Sequence, residues 1–180
     1  YALLEDCLQL LPHMWGPGKS SFTGQVISVP DTTCYPRPLQ EHLPIVVGGG
    51  GEARTLRLAA QYADAANVTG DAATVRHKSS VLRRHCADVG RDPADVEVTH
   101  LSTVLVGTHD GHVAELLERL RPPRQDSARF AASVNAGTVD DHIGRFRELA
   151  EAGAAEVTVR LLDLDDPASL ERMRPVIAAF

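Results

Sequence analysis

The apolar positions along this chain switch repeatedly between a helical period and short β-branched runs. Leu4, Cys7, Leu8, Leu11, Met14 and Trp15 recur at helical spacing. They predict an amphipathic helix over 3–15, which Pro12 should kink or shorten. Residues 16–21 read as a loop, 22–29 as a short hairpin, and the proline-punctuated stretch 30–44 as extended chain. Ile45 to Val47 then forms a run suited to a strand buried on both faces. Four glycines follow, Gly48 to Gly51. A helical pattern comes next, with Leu56, Ala59, Ala60 and Ala63 on one face and Arg54, Arg57 and Gln61 on another.

The strand-then-helix order repeats three more times. Ala65–Val68 predicts a strand, Thr69-Gly70 a turn, and 72–89 a helix with Val75, Val81, Leu82 and Cys86 inward. Gly90 caps that helix and Asp92-Pro93 turns the chain. Val96–Val106 is the strongest strand, followed by a helix over 112–120, a polar loop over 121–127 and an extended stretch over 130–134. Thr138 reads as an N-cap with Asp141 three residues on, opening a helix that ends near Ala152 and Gly153. Val157–Leu162 is the last strand, and Asp166-Pro167 begins the last helix. Alternation of this kind implies a parallel sheet with right-handed crossovers. Four units make half of an eight-stranded barrel. The 180 residues are expected to form one domain, with 1–43 as helix and connecting segment and 44–180 as the four β/α units.

Composition narrows the function. The net charge is −6 and no basic stripe suggests nucleic acid. No apolar run approaches the roughly 20 residues that span a membrane. The start lacks Met and the features of a signal peptide. Because it opens directly in a helical pattern, a missing upstream segment is expected. Cys7, Cys34 and Cys86 are too few and too scattered for a disulfide framework or a zinc site, which fits reduced thiols and a cytoplasmic location.

Ligands of parallel β/α folds bind beyond the carboxyl ends of the strands. Four places meet that condition: Gly48 to Glu52, Thr69-Gly70, Gly107 to His109, and Leu162-Asp163. Glycines let an anion approach the backbone, and a helix start offers free N–H groups. A phosphate cradle follows, with amides of Gly50, Gly51 and Glu52 on one side and the Thr69 hydroxyl on the other. A glycine-rich turn without a ligand is the alternative, since the stretch is neither G-x-G-x-x-G nor a P-loop. The Glu52 carboxylate either caps the helix or leaves only its N–H to the ligand. His109 and His112 lack a third ligand, so no metal is expected. His100, mid-strand, reads as a hydrogen-bonded core histidine. Arg160, a charge in an apolar strand, must be paired or face a polar cavity; an ion pair and a substrate contact are its two readings. No Ser-His-Asp set or pair of catalytic carboxylates stands out.

The stretches Pro44-Ile-Val-Val-Gly-Gly-Gly-Gly-Glu52, Arg54-Thr-Leu-Arg-Leu-Ala59 and Tyr62-Ala-Asp-Ala-Ala-Asn67 resemble the luciferase-like flavin oxidoreductases, in particular the branch that uses the deazaflavin coenzyme F-420. Phe22-Thr-Gly24, Cys34 to Gln40 and Val89 to Pro93 fit the same spacing. The resemblance covers nearly the whole chain and only the C-terminal part of the family. It implies α/β architecture as the C-terminal half of a TIM (β/α)8 barrel, parallel strands five to eight with helices outside. It implies hydride transfer between F-420 and a small organic substrate. The coenzyme phosphate would lie at Gly49, Gly50, Gly51, Glu52, Thr69 and Gly70. FMN is the alternative coenzyme, in a monooxygenase of the same superfamily, because both carry a ribityl phosphate. The family's ring-side groups come largely from the other half of the barrel, so no catalytic residue is assigned here. A non-catalytic half-barrel is the competing class. Open sheet edges invite a homo-oligomer or association with a separate N-terminal half.

Overall fold

Helix α1 (Ala2–Trp15) runs through Pro12, which sits in its last turn; the Gly16 N–H closes the helix on Pro12 O at 3.2 Å. This computed structural model describes residues 1–18, 20–32 and 34–180. Lys19 of the expected 16–21 loop and Thr33 of the expected extended stretch lie outside the described residues. The described chain forms two compact units, 1–67 with 78–97, and 68–77 with 98–180.

In the first unit, β1 (Ser20–Thr23) and β2 (Ser28–Thr32) form the expected hairpin, antiparallel with Phe22 opposite Val29. Its turn closes on Asp6 of α1. The Asp6 carboxylate, 1% exposed, accepts N–H bonds from Gln25 (2.9 Å), Val26 (2.6 Å) and Ile27 (2.8 Å). The bonds from Ile27 and Val26 hold its pKa below the usual carboxylate value. Gly24 is required there because a Cβ would lie 2.4 Å from that carboxylate.

Strand β3 (Val46–Gly48) pairs in parallel with β4 (Ala65–Val68), Val46 opposite Ala65 and Gly48 opposite Asn67. The expectation that the 45–47 run is buried on both faces is corrected. Ile45 and Val47 are buried, whereas Val46 is 57% exposed. Successive strand residues point to opposite faces, and only one face here is covered. Helix α2 (Thr55–Tyr62) buries Leu56, Ala59 and Ala60 completely, with Ala63 at its C-cap. Helix α3 (Ala72–Asp88) buries Val75, Val81, Leu82 and Cys86, as the spacing predicts. Arg91 then fastens the chain by donating to Ala60 O, Ala63 O and Asp95 O.

In the second unit, β5 (Glu97–Gly107) is the long strand. Helix α4 (Asp110–Leu120) follows it, with the His109 side chain accepting from His112 N as the N-cap. Helix α5 (Ser127–Ser133) then replaces the extended stretch expected over 130–134. The reason is local: Asp126 caps the turn by accepting from Arg129 N at 2.8 Å. Phe130 and Val134, four residues apart, thereby share one face and pack against Leu105 and Leu116.

A short strand not foreseen, β6 (Ala136–Thr138), pairs in parallel with β5 over Leu105–Gly107. Helix α6 (Val139–Glu151) starts in the expected capping box of Thr138 and Asp141. Strand β7 (Glu156–Leu161) pairs in parallel with β5 over Thr99–Val104. Helix α7 (Ala168–Ile177) closes the chain, with Pro167 as N-cap and the Asp166 carboxylate accepting from Ala168 N.

His142 of α6 is fully buried. Its Nε2–H donates to Leu105 O at 3.3 Å and its Nδ1 accepts from Arg145 Nη1 at 3.0 Å. That pair of bonds fixes the neutral tautomer, and burial, foremost, pushes its pKa down. The unfolded chain therefore takes up a proton that the folded chain refuses as pH falls below about 6.5. Stability should be flat above that pH and decline below it. The decline between about pH 6.5 and 5 should shrink in His142→Gln, read from urea melts at several pH values.

Candidate functional site

The glycine turn leaves β3 with Gly49 at φ +127°, a conformation that favours glycine. The Gly49 N–H continues the ladder to Asn67 O at 3.0 Å. Gly50 and Gly51 are exposed, and among the described residues no hydrogen bond uses their N–H groups. The Gly51 carbonyl accepts from Leu56 N at 3.0 Å, which ties the turn to α2. Sequence reasoning set the helix directly behind the glycines. It begins three residues later, at Thr55, after a turn over Glu52 to Arg54. The free amides are thus those of the turn itself and lie ahead of the helix.

The glycines differ in what they leave room for. A Cβ on Gly50 would meet only Lys78 Cε, at 3.5 Å, whereas one on Gly51 would lie 2.7 Å from Thr55 Oγ1. Gly51 is small to fit against α2. Gly50 would take a Cβ in ordinary contact with Lys78, and its exposed N–H is left for an anion to reach.

Glu52 is turned onto α3. Its carboxylate takes the Lys78 ammonium at 2.6 Å, and its carbonyl accepts from His85 Nε2 at 2.7 Å. Neither Lys78 nor His85 carries a signal in the sequence, where they stand 26 and 33 residues from Glu52 on a helix of ordinary amphipathic pattern. The Lys78 ammonium brings a positive charge beside Gly50.

Thr69 and Gly70 follow β4 and belong to the second unit. Thr69 is exposed. Gly70 has φ +121°, and a Cβ there would press into Thr74 at 2.8 Å. The Asp71 carboxylate caps α3 by accepting from Thr74 N, and the Thr74 hydroxyl foremost, with that N–H, holds its pKa below the usual value. His100 is the core histidine expected, 3% exposed, with Nε2 donating to Gly70 O at 2.9 Å. Beside this turn lies a cavity of about 520 Å³ lined by Thr69, Gly70, His100, Ser102, Asn135 and Arg145 among others.

Arg160 lies on the exposed face of β7, opposite Thr103. That face is open to water, so its charge is solvated and not buried. The charge that β5 and α7 do bury is Arg172. Its Nε donates to Val106 O at 2.8 Å and its Nη2 to Asp163, which is 4% exposed. His109 and His112 are occupied locally: His109 Nδ1 accepts from His112 N, and His112 Nδ1 pairs with the Thr108 hydroxyl. No group of three or more metal-ligating side chains occurs among the described residues. No described helix is long and apolar enough to cross a membrane.

The family model of the luciferase-like monooxygenases matches residues 1–161. An F420-dependent secondary alcohol dehydrogenase superposes with a TM-score of 0.73 at 17% identity, over 96% of this chain and 59% of that one. A coenzyme F420-dependent tetrahydromethanopterin reductase from Methanopyrus kandleri gives 0.72 at 16% identity, over 99% and 62%. A riboflavin lyase holding modified FMN gives 0.72 at 11% identity, over 98% and 56%. An uncharacterized protein of Mycobacterium tuberculosis (strain ATCC 25618 / H37Rv) is 23% identical over 90 residues, half of this chain and 32% of that protein. The chain therefore spans about three fifths of these solved relatives and a third of the curated one. The shared fold is the TIM barrel, of which this parallel α/β chain forms half.

Proposed function

The chain belongs to the luciferase-like monooxygenase family, and from that premise we propose that it supplies the coenzyme-phosphate half of an F-420-dependent oxidoreductase. The reaction proposed is hydride transfer between the deazaflavin and a small organic substrate. The observation that carries this reading is the turn after β3, where two exposed glycines hold N–H groups that no hydrogen bond uses among the described residues. A phosphate dianion is the ligand such a turn suits. The group fits the residues present: Gly50 and Gly51 would donate backbone N–H bonds. When bound, the coenzyme supplies the redox centre. The chain's own part is to hold its phosphate at a fixed place, so that the ring is presented in one orientation. FMN carries the same phosphate and is the second ligand this turn would accept, as the FMN-bearing relative illustrates.

The test is a titration of the purified protein with F-420 and with FMN, followed by fluorescence. Saturable binding of either supports the reading, and the tighter one names the coenzyme. Binding of neither would overturn it. Thr69, exposed at the end of β4, is proposed to donate its hydroxyl to the same coenzyme. Thr69→Ala should then weaken binding by about tenfold or more, the loss of one hydrogen bond to a charged acceptor, roughly 1.5–3 kcal/mol. Unchanged affinity would remove Thr69 from the site.

A further inference from the structure

The Lys78–Glu52 pair meets the glycine turn in a way that the phosphate reading does not require. Lys78 Nζ lies 2.6 Å from Glu52 Oε1, and Lys78 Cε lies 3.5 Å from the place a Gly50 Cβ would take. The lysine side chain is 19% exposed and the glutamate 45%. An ammonium is thus held against the turn by a carboxylate only partly withdrawn from water. Glu52 brings a negative charge within two residues of the Gly50 amide, where an anionic ligand would have to approach.

We propose that Lys78 is a further phosphate-binding residue and that Glu52 occupies it until the coenzyme arrives. This rests on the proposed phosphate site at Gly50 and Gly51. A phosphate on those amides attracts the Lys78 ammonium and repels the Glu52 carboxylate. Lysine suits this exchange because its compact charge has three donors on a flexible stem and can serve two acceptors. Glu52 also keeps the ammonium placed when no ligand is bound, so its effect on affinity is a competition and not a contribution. The sign follows. Neutralising Glu52 should tighten coenzyme binding, whereas a direct ligand role for Glu52 would weaken it.

His85 Nε2 holds the Glu52 carbonyl at 2.7 Å, independently of the carboxylate. Glu52→Gln therefore leaves the turn anchored to α3. Lys78→Met removes the charge and keeps most of the stem, and Lys78→Arg restores the charge.

The experiment measures dissociation constants of these three variants for FMN and F-420, and for riboflavin and the deazaflavin analogue that both lack the phosphate. For the phosphorylated ligands, Glu52→Gln should tighten binding about threefold and Lys78→Met weaken it about tenfold, with Lys78→Arg near the parent, since charge-assisted bonds at a partly exposed site are screened. For the phosphate-free ligands all three should match the parent. Weaker or unchanged phosphate binding in Glu52→Gln would overturn the proposal. So would equal shifts with and without phosphate, which would make Lys78 a brace for the turn. If Lys78→Met fails to fold, Glu52→Gln alone still decides the sign. Failure of the underlying phosphate site shows separately, as parent affinities equal for ligands with and without phosphate.

Discussion

Gly50→Val is expected to lower affinity for F-420 or FMN about a hundredfold while leaving the melting temperature nearly unchanged. A valine side chain there would crowd a phosphate held on the amides of Gly50 and Gly51. Two charge-assisted hydrogen bonds would be blocked, and about 3 kcal/mol corresponds to that factor. Folding should tolerate the change. Gly50 does not have positive φ, and only Lys78 Cε comes near its Cβ position. An exposed substitution of this kind usually shifts stability by about 0.5 kcal/mol or less. Gly51→Val is the instructive contrast, because its Cβ would lie 2.7 Å from Thr55 Oγ1. That variant should lose stability as well as affinity. A thermal melt and a coenzyme titration on each variant separate the two glycines. Intact affinity in Gly50→Val would reduce the turn to a glycine-rich connection between strand and helix.

Arg172→Met should cost about 3–5 kcal/mol of folding stability, the usual effect of removing one partner from a buried ion pair. Asp163 would be left 4% exposed without its counter-charge, and Val106 O would lose the Nε–H donor. Asp166 also reaches Arg172, at 3.4 Å, but stands further out, with its side chain 36% exposed. The loss is a large part of the roughly 5–15 kcal/mol that holds a typical domain folded. Removing both charges in Arg172→Met with Asp163→Leu should recover much of it, because no unpaired charge then remains inside. Urea denaturation of the two variants and the parent measures both quantities. A loss below about 1 kcal/mol in Arg172→Met would mean that water or Asp166 answers the Asp163 charge.

Most elements were legible because each rests on a local rule. The periodic burial of Leu56, Ala59 and Ala60, the Thr138–Asp141 capping box and the β-branched run of β5 need no partner to be recognised. Helix α5 does not stand out in the sequence because its two apolar residues, Phe130 and Val134, fit either period and its cap, Asp126, belongs to a stretch with the composition of a polar loop. The strand through Val46 looked two-sided because an apolar run does not record which face has a neighbour.

By itself the sequence determined the alternation of strands and helices, the family, and the glycine turn as the place where chemistry is expected. Those follow from period, residue type and order along the chain. Tertiary structure decided which glycine has room for a Cβ, that Glu52 is turned onto Lys78 and His85, and that Arg172 and not Arg160 is the buried charge. The physical reason is distance along the chain. Glu52 and Lys78 lie 26 residues apart and Val106 and Arg172 lie 66 apart. A hydrogen bond over such a separation is set by the packing of whole elements, which no local pattern encodes.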